Sequence, residues 1–349
     1  MVFKDFKGAC HIHTDYSDGN IPLHDVITSA QDTDLDFLIV SDHNTLLPKY
    51  EGWEGWHDKL LVIIGVEVSP RGDGHFLALN TKPLSGKGDV DLSRYEYMSS
   101  RGCLDEAVDC GSTAYIVHPM GLRKKNFMIN LNEWHDWEMN GFAGIEIWSY
   151  LHDWLEDLKI SNFRHFCKYP NLQIKGPNPN LLSLWDQLGK HRRVAGISGI
   201  DAHFRKIPFA RKPLFTYKDF FQTLRTHVLI EGELTKSNNA IQSVCEAHQE
   251  ARCYVSFDLL ADATGFTFSA DTEEGTYHMG EEIFYHGGKI HFKARTSYPA
   301  TIKLLKDGEI CAERNGSVLE SSNNEKGVFR IEAYRENKPW IFSNPIYIR

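Results

Sequence analysis

The chain has 349 residues, of which 42% are hydrophobic, so it can fold as one large domain or as two. Its formal net charge of −9 argues against general nucleic-acid binding, and no run of ~18 apolar residues predicts a membrane span. The N-terminal residues lack the pattern of a secretory signal and the seven cysteines form no C-x-x-C pair, which together favour a cytoplasmic location.

The first 250 residues alternate short apolar runs with segments of helical periodicity. Strands are predicted over 8–13, 36–40, 60–69, 75–80, 114–119, 144–149, 194–203 and 226–230. Helices are predicted over 22–32, 103–110, 151–167, 178–191, 217–226 and 237–250. The strands 60–69 and 75–80 lie close enough in sequence to form a hairpin. This alternation is typical of an α/β fold with a mainly parallel sheet, open or closed into a barrel.

The pattern changes after residue 250. Short strand-like runs follow one another, separated by turn residues such as Asp307-Gly308 and Asn315-Gly316, and no helical periodicity remains. We therefore predict two domains, residues 1–250 and residues 251–349, the second a small all-β, sandwich-like domain. Because no long linker separates them, the two domains are expected to pack together.

Side chains that bind metal ions recur at the ends of the predicted strands, where α/β folds place their chemistry. Six are imidazoles and three are carboxylates: His11, His13, Asp18, His43, Glu67, His75, His118, Asp201 and His203. His11 and His13, two residues apart on an extended strand, project from the same face. Taken singly, most of these residues also fit a structural role. Their repetition at successive strand ends favours a metal site.

The nine candidate ligands offer only nitrogen and oxygen donors, a set that suits Zn, Mn or Fe and suits Mg less well. A single catalytic ion with an open position needs three or four protein ligands. Nine ligands therefore predict two or three divalent ions, with carboxylates shared between them.

The motifs in this order resemble those of the PHP (polymerase and histidinol phosphatase) phosphoesterases. They are His11-Ile12-His13, Ser17-Asp18-Gly19, Ser41-Asp42-His43, Gly65-Val66-Glu67, His75, His118-Pro119 and Asp201-Ala202-His203. The resemblance covers about residues 8–250 and implies a distorted (βα)7 barrel with a two- or three-metal site. Segments 144–149 and 338–347 resemble a stand-alone branch with a C-terminal β-domain, in which one characterised activity is carbamate hydrolysis of the carbaryl-hydrolase type.

The resemblance also implies which residues share an ion. His11, His13, Glu67 and Asp201 correspond to the ligands of a first ion. Glu67, His75 and His118 correspond to those of a second ion, with Glu67 bridging. Asp18, His43 and His203 correspond to those of a third.

A metal-bound water has a pKa of about 7, which supplies hydroxide at neutral pH. The sequence therefore predicts direct hydrolysis by metal-bound hydroxide, without a covalent intermediate. Basic residues in the loops after two candidate ligands suit an anionic substrate, with Arg123 and Arg205 as candidate contacts. Glu146 and His152 are candidate auxiliary residues, Glu146 as a support or substrate contact and His152 as a proton donor to the leaving group.

The leading hypothesis is a phosphoesterase that acts on a small phosphorylated metabolite. A carbamate, carboxylic-ester or amide hydrolase with the same metal site is the first alternative. A non-catalytic, metal-stabilised module that binds partners through the β-domain is the second. No oligomeric state is predicted, and no nucleic-acid or membrane partner is expected.

Overall fold

The computed structural model describes residues 3–81, 92–121, 132–203, 216–236 and 239–349. Within these ranges, ten strands precede residue 250: β1 (Phe3–Ile12), β2 (Phe37–Val40), β3 (Gly55–His57), β4 (Leu60–Ile64), β5 (Val66–Val68), β6 (Phe76–Leu79), β7 (Thr113–Ile116), β8 (Gly144–Ser149), β9 (Ala195–Gly199) and β10 (Leu224–Glu231). Eight α-helices are described among them: α1 (Leu23–Gln31), α2 (Leu47–Tyr50), α3 (Ser100–Asp109), α4 (Tyr150–Leu155), α5 (Phe163–Lys168), α6 (Pro179–Gly189), α7 (Tyr217–Phe221) and α8 (Ala240–Gln249).

The strands of this region lie in two sheets, one containing β3, β4, β2, β1 and β10 and the other formed by β5 to β9. Their pairing is mixed, where a mainly parallel sheet was predicted. The pairs β1–β2, β2–β4, β7–β8 and β8–β9 are parallel. The pairs β5–β6, β6–β7 and β1–β10 are antiparallel. The predicted hairpin is confirmed as β5–β6. Strands β2 and β4 are buried along their whole length, which explains why both read as continuous apolar runs.

Backbone contacts bring the carboxyl end of β9 beside that of β1. The N–H of Ile200 donates to Cys10 O at 2.9 Å, and the N–H of Ala202 donates to His11 O at 3.2 Å. A bridge between His43 and Glu67 likewise joins the end of β2 to β5. These contacts join the two sheets and bring candidate ligands from distant parts of the sequence close together.

Three predicted elements are interrupted. The predicted strand 60–69 breaks at Gly65 into β4 and β5. The predicted helix 151–167 breaks between α4 and α5, where the side chain of Asn162 accepts from Lys159 N and donates to Asp157 O, so it stabilises a turn. The predicted helix 217–226 ends at Phe221, and β10 begins at Leu224.

Residues 251–349 are all described and contain strands but no helix, as predicted. The strands are β11 (Cys253–Phe257), β12 (Thr267–Asp271), β13 (Thr276–His278), β14 (Glu282–Ile283), β15 (Ile290–Lys306), β16 (Glu309–Asn323), β17 (Gly327–Arg335), β18 (Lys338–Ser343) and β19 (Ile346–Ile348). Strand β11 pairs with β10 on one side and with β18 on the other. One sheet therefore runs from the N-terminal α/β region into the C-terminal β-rich region, and the domain boundary at 250/251 stays a prediction.

Within the described ranges, no helix is both long and apolar enough to span a bilayer.

Candidate metal centre

The nine candidate ligands converge where strand ends of the two sheets meet. Glu67 on β5 is 1% exposed and lies at their centre. Its Oε1 lies 2.9 Å from Nδ1 of His75 and 3.0 Å from Nε2 of His118. Its Oε2 lies 3.1 Å from His11 Nε2, 3.2 Å from His13 Nε2 and 3.1 Å from His43 Nδ1. One buried carboxylate thus faces five imidazoles from four different motifs.

Two further carboxylates complete the cluster. Asp201 Oδ1 lies 3.3 Å from Nε2 of His13 and 3.2 Å from Nδ1 of His203. Asp18 Oδ1 lies 2.9 Å from Nε2 of His203 and 3.7 Å from Nε2 of His43. Eight of the nine candidates fall into groups of ligand atoms within 4.8 Å of one another, and His75 joins them through Glu67.

Several of these close approaches are not hydrogen bonds. Within the described residues, His11 Nε2, both ring nitrogens of His13, Glu67 Oε2 and His118 Nδ1 are buried without a hydrogen-bond partner. A buried polar atom without a partner costs about 1–3 kcal/mol. Metal ligands direct their lone pairs toward a shared ion and not into hydrogen bonds with one another. The unbonded nitrogen and oxygen atoms of these side chains therefore fit divalent ions.

The backbone at three of these ligands is strained. His11, His118 and Asp201 have φ of 65°, 32° and 55°, in the left-handed region that non-glycine residues rarely adopt. Each such residue costs on the order of 1–3 kcal/mol and persists where its surroundings impose it. Three candidate ligands of the cluster therefore have a strained backbone.

The carboxylates dominate the electrostatics of the site. Burial alone would lower the pKa of His11, but Glu67 and Glu146 raise it well above its usual value. Burial is likewise outweighed at His13, where Asp201 and Glu67 raise the pKa to about 9. Burial opposes ionisation of Glu67 too, but the imidazoles around it hold its pKa well below the usual range. A metal ion takes the place of such protons when it binds, because its ligands must be deprotonated.

Two imidazoles of the site have lowered pKa values. Burial is the largest cause for both, and it lowers the pKa of His43 to about 4 and that of His152 to about 3. Both rings are therefore neutral near pH 7. At Asp18, burial would raise the pKa, but His203 and His43 lower it to about 2.

The planes of the imidazole rings fall into two groups. Tilted pairs are His11–His13 at 56°, His75–His118 at 72°, His43–His203 at 35° and His43–His75 at 78°. Stacked pairs are His13–His203 at 21°, His13–His43 at 28°, His11–His118 at 26° and His118–His152 at 13°. An imidazole binds an ion through an in-plane lone pair. Stacked rings therefore direct their lone pairs side by side, whereas tilted rings can direct them at one point.

Glu146, one of the predicted auxiliary residues, contacts the candidate ligand His11. Its Oε2 lies 2.7 Å from Nδ1 of His11, and both side chains are fully buried. A Cβ at position 199 would lie only 1.8 Å from that oxygen, so Gly199 leaves the space in which Glu146 reaches the imidazole. Carboxylates in this position fix the orientation and tautomer of a ligating histidine.

His152, the other auxiliary, lies beside the cluster. Its Nδ1 is 3.0 Å from Ser149 Oγ and 3.5 Å from Asp201 Oδ2, and its ring stacks on His118 at 4.4 Å between centroids. The candidate substrate contacts Arg123 and Arg205 lie outside the described residues.

Three supporting residues escaped prediction from the sequence. Asp42 accepts from Thr14 N and from Ser17 Oγ, which fixes the loop that carries Asp18. Ser69 Oγ lies 2.7 Å from Nδ1 of His43, and Asn132 Nδ2 lies 3.1 Å from Nε2 of His75. The only sequence signal was the position of Asp42 directly before a ligand.

No family model and no curated protein sequence matches the chain. Among solved structures, it is similar to a two-domain protein from Bacteroides vulgatus containing a predicted PHP-like metal-dependent phosphoesterase. That match has 14% identity and a TM-score of 0.45, and it covers 98% of this chain and 95% of that one.

Two further structures match with lower scores. PsfC from Pseudomonas syringae has 12% identity and a TM-score of 0.40, over 70% of this chain and 96% of that one. An amidohydrolase from Chromobacterium violaceum, with bound sulfate and no metal, has 16% identity and a TM-score of 0.34, over 56% and 89%. One of these similar structures is therefore a two-domain protein with a predicted PHP-like phosphoesterase. The sequence motifs predict a resemblance to the same family.

Proposed function

We propose that this chain is a multinuclear metal-dependent hydrolase of the PHP type, and that it hydrolyses phosphoesters of a small anionic molecule. The observation that carries the proposal is the position of Glu67, whose two buried oxygens lie within 3.2 Å of nitrogens from five imidazoles. Such a cluster costs free energy unless cations compensate it.

The ring planes support the distribution of ligands that the family resemblance implies. In that distribution His11 and His13 share a first ion, His75 and His118 a second, and His43 and His203 a third. Each of these pairs is tilted. The stacked pairs among the six imidazoles all join residues assigned to different ions. His43 and His75 are also tilted, although they are assigned to different ions. A tilt between two rings allows them to bind the same ion but does not require it.

The site's own residues then have distinct tasks. Divalent ions held there would acidify a water molecule and polarise the bond that it attacks. Glu67 holds the histidines of two ions at a fixed spacing, and Glu146 fixes the orientation of His11. Asp201 connects the His11–His13 side of the site to His203. Because the nucleophile is then a water molecule, hydrolysis proceeds without a covalent intermediate.

The finer architecture belongs to the same proposal. The contacts from β9 to β1 and from β2 to β5 support a distorted seven-stranded barrel in residues 1–250. Residues 251–349 form the second, sandwich-like domain, whose strand β11 continues the sheet of the first. All seven cysteines are free thiols, as suits a reducing compartment such as the cytoplasm.

Hydrolysis of a carbamate or carboxylic ester is the second candidate function, and one observation favours it. A small cavity opens beside the site, and Ile147, Trp148, Pro177 and Leu181 supply an apolar part of its wall. Such a wall suits an uncharged group of a substrate better than a second phosphate.

A substrate panel separates these functions. Protein loaded with Mn or Zn is assayed on phosphomonoesters, phosphodiesters, aryl esters and carbamates, with Asp201→Asn as the matched variant. We expect phosphoester hydrolysis that chelation abolishes, that the added ion restores and that the variant lacks. Hydrolysis of only carbamates or esters would establish the second candidate. Metal-loaded protein without any hydrolysis would favour a non-catalytic binding module. A phosphoryl-protein trapped by acid quench would contradict direct attack.

A further inference from the structure

We propose that the cavity beside the metal centre binds the part of the substrate that is not hydrolysed, and selects there for a small apolar group that carries one hydrogen-bonding atom. The proposal rests on the proposed function, and it adds a substrate class to it. The cavity lies between residues 118–121, the end of β8 with α4, and residues 176–181.

Among the described lining residues, His118 Nδ1, Glu146 Oε1 and His152 Nε2 are buried without a hydrogen-bond partner. His118 and Glu146 belong to the proposed metal site, which leaves the nitrogen of His152 for a ligand. His152 is 7% exposed, and within the described residues its Nε2 is buried without a hydrogen-bond partner. The other nitrogen, Nδ1, is 3.0 Å from Ser149 Oγ. A buried nitrogen of this kind costs free energy until a partner reaches it.

His152 does not act as a tenth metal ligand beside His118. The two rings stack at 4.4 Å with only 13° between their planes, so their in-plane lone pairs run side by side. A single ion cannot lie in both ring planes at bonding distance. The free nitrogen of His152 is therefore assigned to the substrate.

The apolar wall of the cavity is built rigidly. Trp148 is 2% exposed and donates from Nε1 to Asp153 Oδ2 at 3.1 Å. The same carboxylate accepts from the backbone N–H groups of Lys175 and Gly176, at 3.0 and 2.8 Å from Oδ2. One buried side chain thus fixes two opposite parts of the wall.

The C-terminal region supports this wall from behind. The Trp148 ring contacts Phe257 and Phe342, with centroids 5.7 and 5.8 Å away. Gly176 has φ of 106°, and a Cβ there would lie 2.4 Å from Cγ of Pro339. The β-rich region therefore shapes the cavity without supplying a candidate metal ligand.

Phosphonates that cannot be hydrolysed test the proposal on metal-loaded protein by isothermal titration calorimetry. Methylphosphonate reports on the metal centre alone, benzylphosphonate adds the apolar group, and its 2-, 3- and 4-hydroxy isomers add a polar atom. We expect benzylphosphonate to bind about tenfold more tightly than methylphosphonate. One hydroxy isomer should gain a further factor of about five.

Two variants assign these gains. His152→Phe keeps a flat ring against His118, so it should lose the hydroxyl gain, keep the benzyl gain and keep its metal content by elemental analysis. Leu181→Trp fills the cavity and should lose the benzyl gain while methylphosphonate binds as before. His24→Phe, a change of an exposed histidine on α1, is the control and should alter neither gain.

The proposal is overturned if Leu181→Trp keeps the benzyl gain or if His152→Phe keeps the hydroxyl gain. If His152→Phe does not fold, His152→Asn provides the same comparison. If methylphosphonate does not bind to metal-loaded protein, the proposed function fails instead. Benzyl alcohol and the hydroxybenzyl alcohols then report on the cavity alone, with the same variants deciding the outcome.

Discussion

Two buried clusters of histidine and carboxylate in this chain differ in how their polar atoms are satisfied. At the junction of the N- and C-terminal regions, His227 lies between Asp5, at 2.9 Å, and Asp258, at 3.2 Å, and both contacts have hydrogen-bond geometry. Tyr254 donates to the second oxygen of Asp5, and Ser256 donates to the second oxygen of Asp258. Around Glu67, by contrast, only Oε1 is hydrogen-bonded, to His75 and His118. Its Oε2 faces His11 and His13 at similar distances without bonding.

The difference separates a structural cluster from a ligand cluster of the same residue types. The junction cluster is complete without any added group, so it contributes to folding. The cluster around Glu67 leaves lone pairs directed inward, so it gains from an ion. Four changes test this contrast, beginning with the largest expected effect.

Glu67→Gln removes the carboxylate at the centre of the proposed metal site. We expect the loss of at least one ion per chain and a fall in kcat/KM of more than about 100-fold, beyond the range typical of residues outside the ligand shell. Elemental analysis and steady-state assays measure both quantities, with circular dichroism as the control for folding. A variant that keeps its full metal content would show that Glu67 is not a bridging ligand.

His227→Gln breaks the junction cluster and leaves buried carboxylates poorly compensated. The expected cost is about 3 kcal/mol in the free energy of unfolding, measured by urea titration. The metal content should stay unchanged. His24→Gln, on an exposed surface, serves as the control and should change stability by less than about 0.5 kcal/mol. Loss of metal in His227→Gln would contradict the separation, because it would show that metal binding depends on the junction cluster.

The junction cluster also predicts a pH dependence of stability. Burial opposes protonation of His227, but Asp258 and Asp5 raise its pKa to about 9. Its contribution is therefore complete below the unfolded pKa of about 6.5 and is lost as the pH rises through about 9. The difference in unfolding free energy between wild type and His227→Gln should shrink over this window by at most about 3 kcal/mol. A constant difference from pH 6 to 10 would contradict the ion pair.

Glu146→Gln keeps the shape of the side chain but removes the charge that faces His11. Outer residues of this kind change metal affinity by about 10- to 100-fold, and we expect a loss near the lower end because the amide oxygen can still accept from Nδ1. Competition with a metal chelator measures the affinity. Glu250→Gln, at an exposed carboxylate, is the matched control. Equal metal affinities of the Glu146→Gln and Glu250→Gln variants would show that Glu146 does not contribute to metal binding.

The sequence singled out residues that the structure brings together, because each one is a metal-binding residue type near the end of an apolar strand. That they bind ions stays a prediction. Their convergence follows because the ends of β1 and β2 in one sheet meet the ends of β9 and β5 in the other. The pairing of Glu146 with His11 could not be predicted, because it depends on the register between β8 and β9 and on the space at Gly199. The break between α4 and α5 was missed for a similar reason, since Asn162 stabilises the turn through local hydrogen bonds that periodicity does not encode.

The most direct test of the central claim is anomalous diffraction from a crystal of the metal-replete protein, with elemental analysis of the same preparation. The account predicts two or three peaks per chain, each about 2.0–2.3 Å from its ligands, with one pair of peaks bridged by Glu67. Protein that holds less than one ion per chain after full supplementation, or peaks that lie away from Glu67 and Asp201, would contradict it.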